Sequence, residues 1–362
     1  MRALVVDLDL LRENIRAIRA EVEVPIYGVC KGNGFGTGLE VFAATLLEQG
    51  VERLAVASVE DAVRLRESGV DGEILLLSST ALPEEARQIA QYSLTAAAGS
   101  IAAAVALERA AIAAGKTLPV HLKLDTGFGR FGFLPGQEAQ AVQALERAPH
   151  LRVEGVFSHF SRSFSTADTT ARQLSTFLQM LEELRALGLN PPLRHIANSC
   201  AALLHPDTRL DAVRIGSAFV GRLPMASPIP LHRIGEFVCE VAELHELPGG
   251  HNVGYTNVYT TKRPTTAAVL TAGVADGLGH VRGKDAFRPY DRLRYIWHAV
   301  KGLRGNPALR CTIGGRSVPT LGRIGLTNTI VDVTGMQVAP GDLAVFDINP
   351  MFVDGSVPRR YK

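Results

Sequence analysis

Cysteine, tryptophan and long apolar runs are scarce in this chain of 362 residues. The four cysteines, Cys30, Cys200, Cys239 and Cys311, lie far apart, with no CxxC pair and no Cys/His ligand spacing. That excludes a disulfide framework and a structural metal site; reduced, mostly buried thiols of a cytoplasmic protein are expected. No apolar stretch is long and charge-free enough to span a bilayer, so no membrane partner is expected. The start, Met1 to Asp9, has neither the apolar core nor the cleavage site of a signal peptide. An excess of one charge is missing too. The net charge is +2, acidic and basic residues are mixed, and the lack of a basic block argues against nucleic acid. What is present, 46% hydrophobic and 20% charged residues, is the composition of a globular protein, and the length suffices for two domains or for one barrel with an appendage.

The first two-thirds alternates apolar runs with helical patterns. Candidate strands cover 24–31, 53–58, 73–78, 93–97, 119–125, 153–159, 194–199 and 212–217, and amphipathic segments at 39–49, 59–68, 83–91, 101–114, 137–148 and 169–187 fall between them. The link at 200–210 has room only for a small helix. Such alternation, with strands rich in Val, Ile and Leu, implies a parallel sheet covered on both faces. The expected fold is α/β, an N-terminal (β/α)8 barrel of the TIM type over 1–225. A doubly wound open sheet is the alternative, but its GxGxxG loop does not fit the turn after the first strand. After a proline-rich linker at 223–230, strand-like alternation at 236–244, 266–271, 309–313, 329–334 and 343–348 predicts a mainly-β domain over 231–362, with a helical insertion at 285–303. The first few residues are candidates to pair with that second domain.

Polar residues collect at the ends of the barrel strands. Lys31 follows an apolar strand and opens the glycine-rich turn 32–38; an amine placed beside a core loses solvation, and its lowered pKa suits a nucleophile or base. The fifth strand runs into KLDTGFGR at 123–130, His159 ends the sixth, Asn198 and Ser199 end the seventh, and Arg214 lies in the eighth. Each has a bland reading: a surface lysine, a satisfied core histidine, a helix cap, an ion-paired arginine. Their convergence on the rim where such barrels carry active sites favours function.

Ordered along the chain, YGVCKGNGFGTG (27–38), KLDTGFGRFG (123–132), SHF (158–160), HIANS (195–199), VRIG (213–216), VGYTNVYTTKRP (253–264), ADG (275–277) and LGRIG (321–325) give the sequence a strong resemblance to the alanine racemase family. The resemblance implies a pyridoxal 5'-phosphate enzyme that racemises a small amino acid, alanine above all, to supply D-alanine for cell walls. It implies that Lys31 bonds the cofactor aldehyde and acts as one base, and that Tyr255, reaching across from the partner subunit of a homodimer, acts as the other. A free phenol titrates near pH ~10, so neighbouring cations must lower it. By the same resemblance Asn198, Ser199, Gly216 and Ser217 hold the phosphate, and Arg214 faces the pyridine nitrogen. An arginine can only donate there, which leaves that nitrogen unprotonated. His159 and His195 are implied as groups behind those that touch the cofactor, His195 bonded near Arg214. Arg130 contacts the substrate carboxylate, as does the backbone amide of Leu326, and Lys123 matches a lysine that some members carbamylate.

Three departures stand out. Phe35 replaces a tyrosine that bonds the phosphate, Val274 replaces a tyrosine at the substrate passage, and Gly325-Leu326-Thr327 replaces Cys-Met-Asp. A valine at the gate implies a broader or shifted substrate range, with serine or lysine as candidates. Two further readings remain: another enzyme of the same cofactor and architecture, such as a decarboxylase, and a non-catalytic protein that binds the cofactor.

Overall fold

The computed structural model describes residues 1–164, 167–280, 289–302 and 308–362. The chain divides into two compact units, Asp7–Ile234 and a second made of Met1–Val6 with Gly235–Lys362. The first strand, β1 (Arg2–Val6), thus belongs to the second unit.

The first unit carries β2 (Ile26–Val29), β3 (Arg53–Val56), β4 (Ile74–Ser79), β5 (Thr95–Ala98), β6 (Leu118–Lys123), β7 (Leu151–Phe157), β8 (Arg194–His195) and β9 (Val213–Ile215). They form one parallel sheet in the order β8-β7-β6-β5-β4-β3-β2-β9. Between β9 and β8 the Arg214 N–H donates to the Ala197 carbonyl at 3.0 Å, which brings the two ends of the sheet together as a nearly closed barrel. Strands this apolar are stable only when covered on both faces: the helices cover the outside, and the strands' own inward side chains fill the barrel. Helices start where the sequence offers a cap: the Asp7 carboxylate accepts from Leu10 N–H, Ser58 Oγ from Asp61 N–H and Ser100 Oγ from Ala103 N–H. Each such cap contributes about 1 kcal/mol.

Two expectations change here. The seventh candidate strand, 194–199, shortens to β8, because Asn198 leaves the sheet to cap the helix Ser199–Leu204, its Oδ1 accepting from Ala201 N–H. The proline-rich stretch stays with the barrel. The fully buried Asn14 side chain donates to the Phe219 and His232 carbonyls at 2.8 and 2.7 Å and accepts from His232 N–H at 2.7 Å. The unit therefore ends at Ile234.

In the second unit β10 (Glu236–Leu247), β11 (Thr265–Leu270), β12 (Arg310–Ile313), β13 (Arg316–Pro319), β14 (Thr329–Asp332), β15 (Leu343–Phe346) and β16 (Arg359–Tyr361) join β1. The path is β13-β12-β15-β10-β1-β16, with β11 bridging β10 and β14. The expected insertion contains a helix, Pro289–Gly302; residues 285–288 and 303 lie outside the described residues. All four cysteines are free and buried, and burial pushes Cys200 up to about 11 and Cys239 and Cys311 up to about 12. Among the described residues no helix is long and apolar enough to cross a membrane, and no cluster of His, Cys, Asp and Glu could hold a metal.

Candidate active site

The turn after β2 is not an ordinary loop. Gly32, Asn33 and Gly34 have φ/ψ of 63/47, 55/51 and 62/42, and Phe35 has φ 55. The run is a left-handed helical turn, which only glycine enters without a Cβ clash; Asn33 and Phe35 each add about 1–2 kcal/mol of strain. Tertiary contacts hold it. Asn33 Oδ1 accepts from Leu39 N–H at 3.0 Å, and the buried Phe35 ring packs against Phe42 and fills the space a Cβ at Gly216 would need. The turn projects Lys31 at the carboxyl end of the strands. Part of that side chain is accessible through the open rim, yet surrounding protein lowers its pKa, burial first, then the charges of Arg130 and Arg214.

Arg214 lies behind this amine. Its Nη1 donates to His195 Nδ1 at 2.8 Å and to the His195 carbonyl at 3.1 Å. Its Nη2 donates to the carbonyls of Ser158 and Ile196 at 2.6 and 3.0 Å and to His159 Nδ1 at 3.1 Å. Burial pulls the guanidinium down to about 9, which leaves it charged at neutral pH. Burial and that charge push His159 and His195 far below the ordinary histidine range, so both imidazoles are neutral.

The segment after β6 is wound around Asp125. Its Oδ1 accepts from the N–H groups of Gly127 and Phe128 at 2.8 and 2.7 Å, and its Oδ2 from those of Gly129 and Arg130 at 2.8 and 3.1 Å. This fixes the base of Arg130, whose guanidinium stacks 4.5 Å over the Phe128 ring. Lys123 is buried, with Nζ donating to the Leu77 carbonyl at 3.1 Å and lying 4.0 Å over the Phe157 ring. Burial, then Arg214 and Arg130, lower it to about 7. Asn198 and Ser199 meet Gly216 and Ser217 where two chain segments cross, with Ser199 Oγ accepting from Gly216 N–H at 3.0 Å.

The first unit therefore gathers Lys31, Lys123, Arg130, His159, Arg214 and the Asn198–Ser199 and Gly216–Ser217 pairs. Tyr255 and Leu326 lie on the second unit. Tyr255 sits in a tight turn, Tyr255–Asn257, with Thr256 and Asn257 at φ 62 and 52, and it is 71% exposed. Leu326 and Val274 are exposed as well, and their segments are zipped together: Val274 N–H donates to the Gly325 carbonyl and Ala275 N–H to the Leu326 carbonyl, both at 2.9 Å. A cavity of about 360 Å³ on the barrel, lined by Ser58, Ser79, Thr80, Glu85 and Phe131 among others, contains none of these residues. With Glu85 as its single charged side chain, it offers no acid–base pair.

Sequence reasoning overlooked Asp125, His121 and Glu73. A signal existed for the histidine: His121 and Lys123 are two apart in an apolar strand, so both face the barrel interior. Glu73 had none.

Known proteins resemble this chain over most of its length. The family model for the alanine racemase N-terminal domain matches residues 6–224, and that for the C-terminal domain matches residues 234–349. An alanine racemase of Desulfosudis oleivorans is 34% identical over 357 residues, 94% of this chain and 85% of that protein. One from Symbiobacterium thermophilum is 37% identical over 277 residues, 75% of this chain and 73% of that protein. Among solved structures, the alanine racemase of Streptomyces coelicolor superposes with a TM-score of 0.87 at 29% identity, covering 99% of this chain and 97% of that one.

Proposed function

Since the chain belongs to the alanine racemase family and is an amino-acid racemase, an isomerase, we propose that it interconverts L- and D-alanine on pyridoxal 5'-phosphate, using Lys31 and Tyr255 of the partner subunit as its two acid–base groups.

The residues present fit the cofactor. Lys31, Lys123, Arg130 and Arg214 converge on one rim, and the carboxylate among them, Asp125, is occupied by four backbone N–H groups. Such a centre attracts a dianionic phosphate and a substrate carboxylate together. Hydroxyls of Ser199 and Ser217 and the small Gly216 suit the phosphate, although Phe35 supplies no hydroxyl to it. When bound, pyridoxal phosphate withdraws electrons from the substrate and makes its Cα–H acidic. Lys31, whose pKa is lowered by burial and then by the charges of Arg130 and Arg214, would hold the cofactor aldehyde and serve as the acid–base group on one face of Cα. Arg214 has only N–H groups to offer the ring nitrogen, so it cannot accept a proton there and keeps the electron sink weak. That suits racemisation over decarboxylation or transamination. Arg214, buried among neutral imidazoles and carbonyls beside Lys31, is the observation that carries this reading.

The second face needs a second group. Tyr255, Val258, Val274 and Leu326 are all exposed on the β-domain of one protomer. Their exposure supports a homodimer in which this surface completes the partner's site, with Tyr255 as the opposite acid–base group and the Leu326 amide, with Arg130, orienting the substrate carboxylate. Lys123, neutral above about pH 7, can take up carbon dioxide as a carbamate and hold Arg130. The reading extends to a cytoplasmic supply of D-alanine for cell walls.

The test is racemisation in D2O with pyridoxal phosphate over L-alanine, L-serine and L-lysine. Both enantiomers labelled at Cα are expected. No exchange with any amino acid would leave a non-catalytic cofactor-binding protein. Val274, 39% exposed and without a hydroxyl, favours a broader range than alanine; strict alanine preference would refute that part.

A further inference from the structure

Arg214 is a buried cation whose hydrogen-bond partners are all neutral: three carbonyls and two imidazoles. A buried charge without a counter-charge is costly. Among the described residues no carboxylate reaches it directly, but a file of side chains leads to one.

The direction of that file follows from arginine chemistry. A guanidinium only donates, so His195 Nδ1 must accept and the proton of this neutral ring sits on Nε2. That Nε2 lies 2.9 Å from His121 Nδ1, which must accept in turn. Burial and the charges of Arg214 and Arg53 lower His121 to about 3, so it too is neutral, with its proton on Nε2. There it faces Glu73 Oε1 at 3.8 Å, ion-pair rather than hydrogen-bond length, so the last step is electrostatic. Glu73 directly precedes β4, at the amino-terminal end of the barrel strands, and is fixed by the Tyr27 hydroxyl donating to Oε1 at 2.8 Å and by Arg53 Nε 3.6 Å from Oε2.

The rings cannot turn away. His195 is sandwiched between Tyr27 and Phe157, with centroids 5.2 and 5.0 Å away and interplanar angles of 17° and 9°. His121 occupies the space left by Gly155, where a Cβ would stand 2.7 Å from its ring.

We infer that Glu73 is a positioning residue for racemisation: through His121 and His195 it supplies the remote negative charge that holds Arg214 in place as a donor toward the cofactor ring. This rests on the reading of Arg214 given above. Every N–H in the file points from the rim toward Glu73, so the carboxylate makes His195 Nδ1 a better acceptor and ties the guanidinium fork to it. The amino-terminal end of such a barrel ordinarily serves stability alone; here it would reach the chemistry through the barrel core.

The experiment uses full-length protein with 15N-labelled histidine, wild type and the variants E73Q, H121F and E73Q/H121F. NMR reads the tautomers before and after loading with pyridoxal phosphate, while titration and initial rates give cofactor affinity and kcat/KM. Expected are neutral, Nε2-protonated His195 and His121 in the wild type and the same tautomers in E73Q, since Arg214 alone sets them, with the His195 Nδ1 resonance moved toward that of a more weakly bonded ring nitrogen. kcat/KM should be roughly tenfold lower in either single variant and no lower in the double, with cofactor affinity within about twofold. Glu73 is partly exposed, so E73Q should fold even if H121F does not. An Nδ1-protonated His195, a doubly protonated imidazole at neutral pH, or an E73Q variant as fast as wild type would overturn the inference. If the wild type racemises nothing, the functional reading fails, and the tautomers still decide the relay.

Discussion

Asp125 makes a sharp prediction, because one buried side chain holds the whole approach to Arg130. Its two carboxylate oxygens accept four backbone N–H groups, from Gly127 through Arg130. In Asp125→Asn one oxygen survives with two donors, and the new amide NH2 confronts the other two. A hydrogen bond to an ionised acceptor contributes about 1.5–3 kcal/mol, so two lost bonds amount to about 3–6 kcal/mol. Residues 127–130 are exposed, and water recovers part of this, leaving about 2–4 kcal/mol. If that is lost from the placement of Arg130, kcat/KM falls by roughly 30- to 1,000-fold at about 1.4 kcal/mol per decade, mostly through a higher KM for the amino acid. The barrel strands do not depend on the loop, so Tm should fall by only about 4–8 °C. Initial rates over a range of L-alanine concentrations, beside a thermal melt, check both numbers. A variant with wild-type kcat and KM would show that the four bonds do not position Arg130.

Other outcomes follow from the same geometry. Lys31→Ala should lose the borohydride-sensitive absorption band of cofactor-loaded protein and at least about a hundredfold in rate; retention of the band would remove Lys31 from its role. Tyr255→Phe should stop α-hydrogen exchange from one enantiomer more than from the other, and equal losses would argue against two faces with separate groups. Mixing Lys31→Ala and Tyr255→Phe protomers should restore about a quarter of wild-type activity, as each mixed dimer regains one complete site; no recovery would refute a shared site. Lys123 has a folded pKa of about 7, below its unfolded value, so its neutral fraction grows as pH rises through 7. A 13C carbamate signal from labelled bicarbonate should appear above that pH and fade below it; a Lys123→Met variant retaining the full signal would exclude this site.

Local chemistry made much of this protein legible before any folding. The apolar strand runs, the helical segments between them and the change to alternation in the last third are properties of neighbouring residues, and helices at Pro83–Gln91 and Ile101–Ala114 have the bounds their periodicity implies. Lys31 and Arg214 could be singled out because they fall with other polar residues at one end of the apolar strands, whereas the role of Arg130 came only with the family resemblance. The motif order even pointed to a family. What only the tertiary structure decided lies between distant segments. The left-handed turn at Gly32–Phe35 is disfavoured at Asn33 and Phe35 in isolation and exists because Leu39, Phe42 and Gly216 hold it. The anchoring of the proline-rich stretch by Asn14 depends on bonds across the unit. Glu73 meets Tyr27 across 46 residues and His121 across the intervening strand β5 only because the parallel register stacks them inside one barrel. Periodicity reports which face a side chain takes; the closing of the sheet decides which charge waits on the other side.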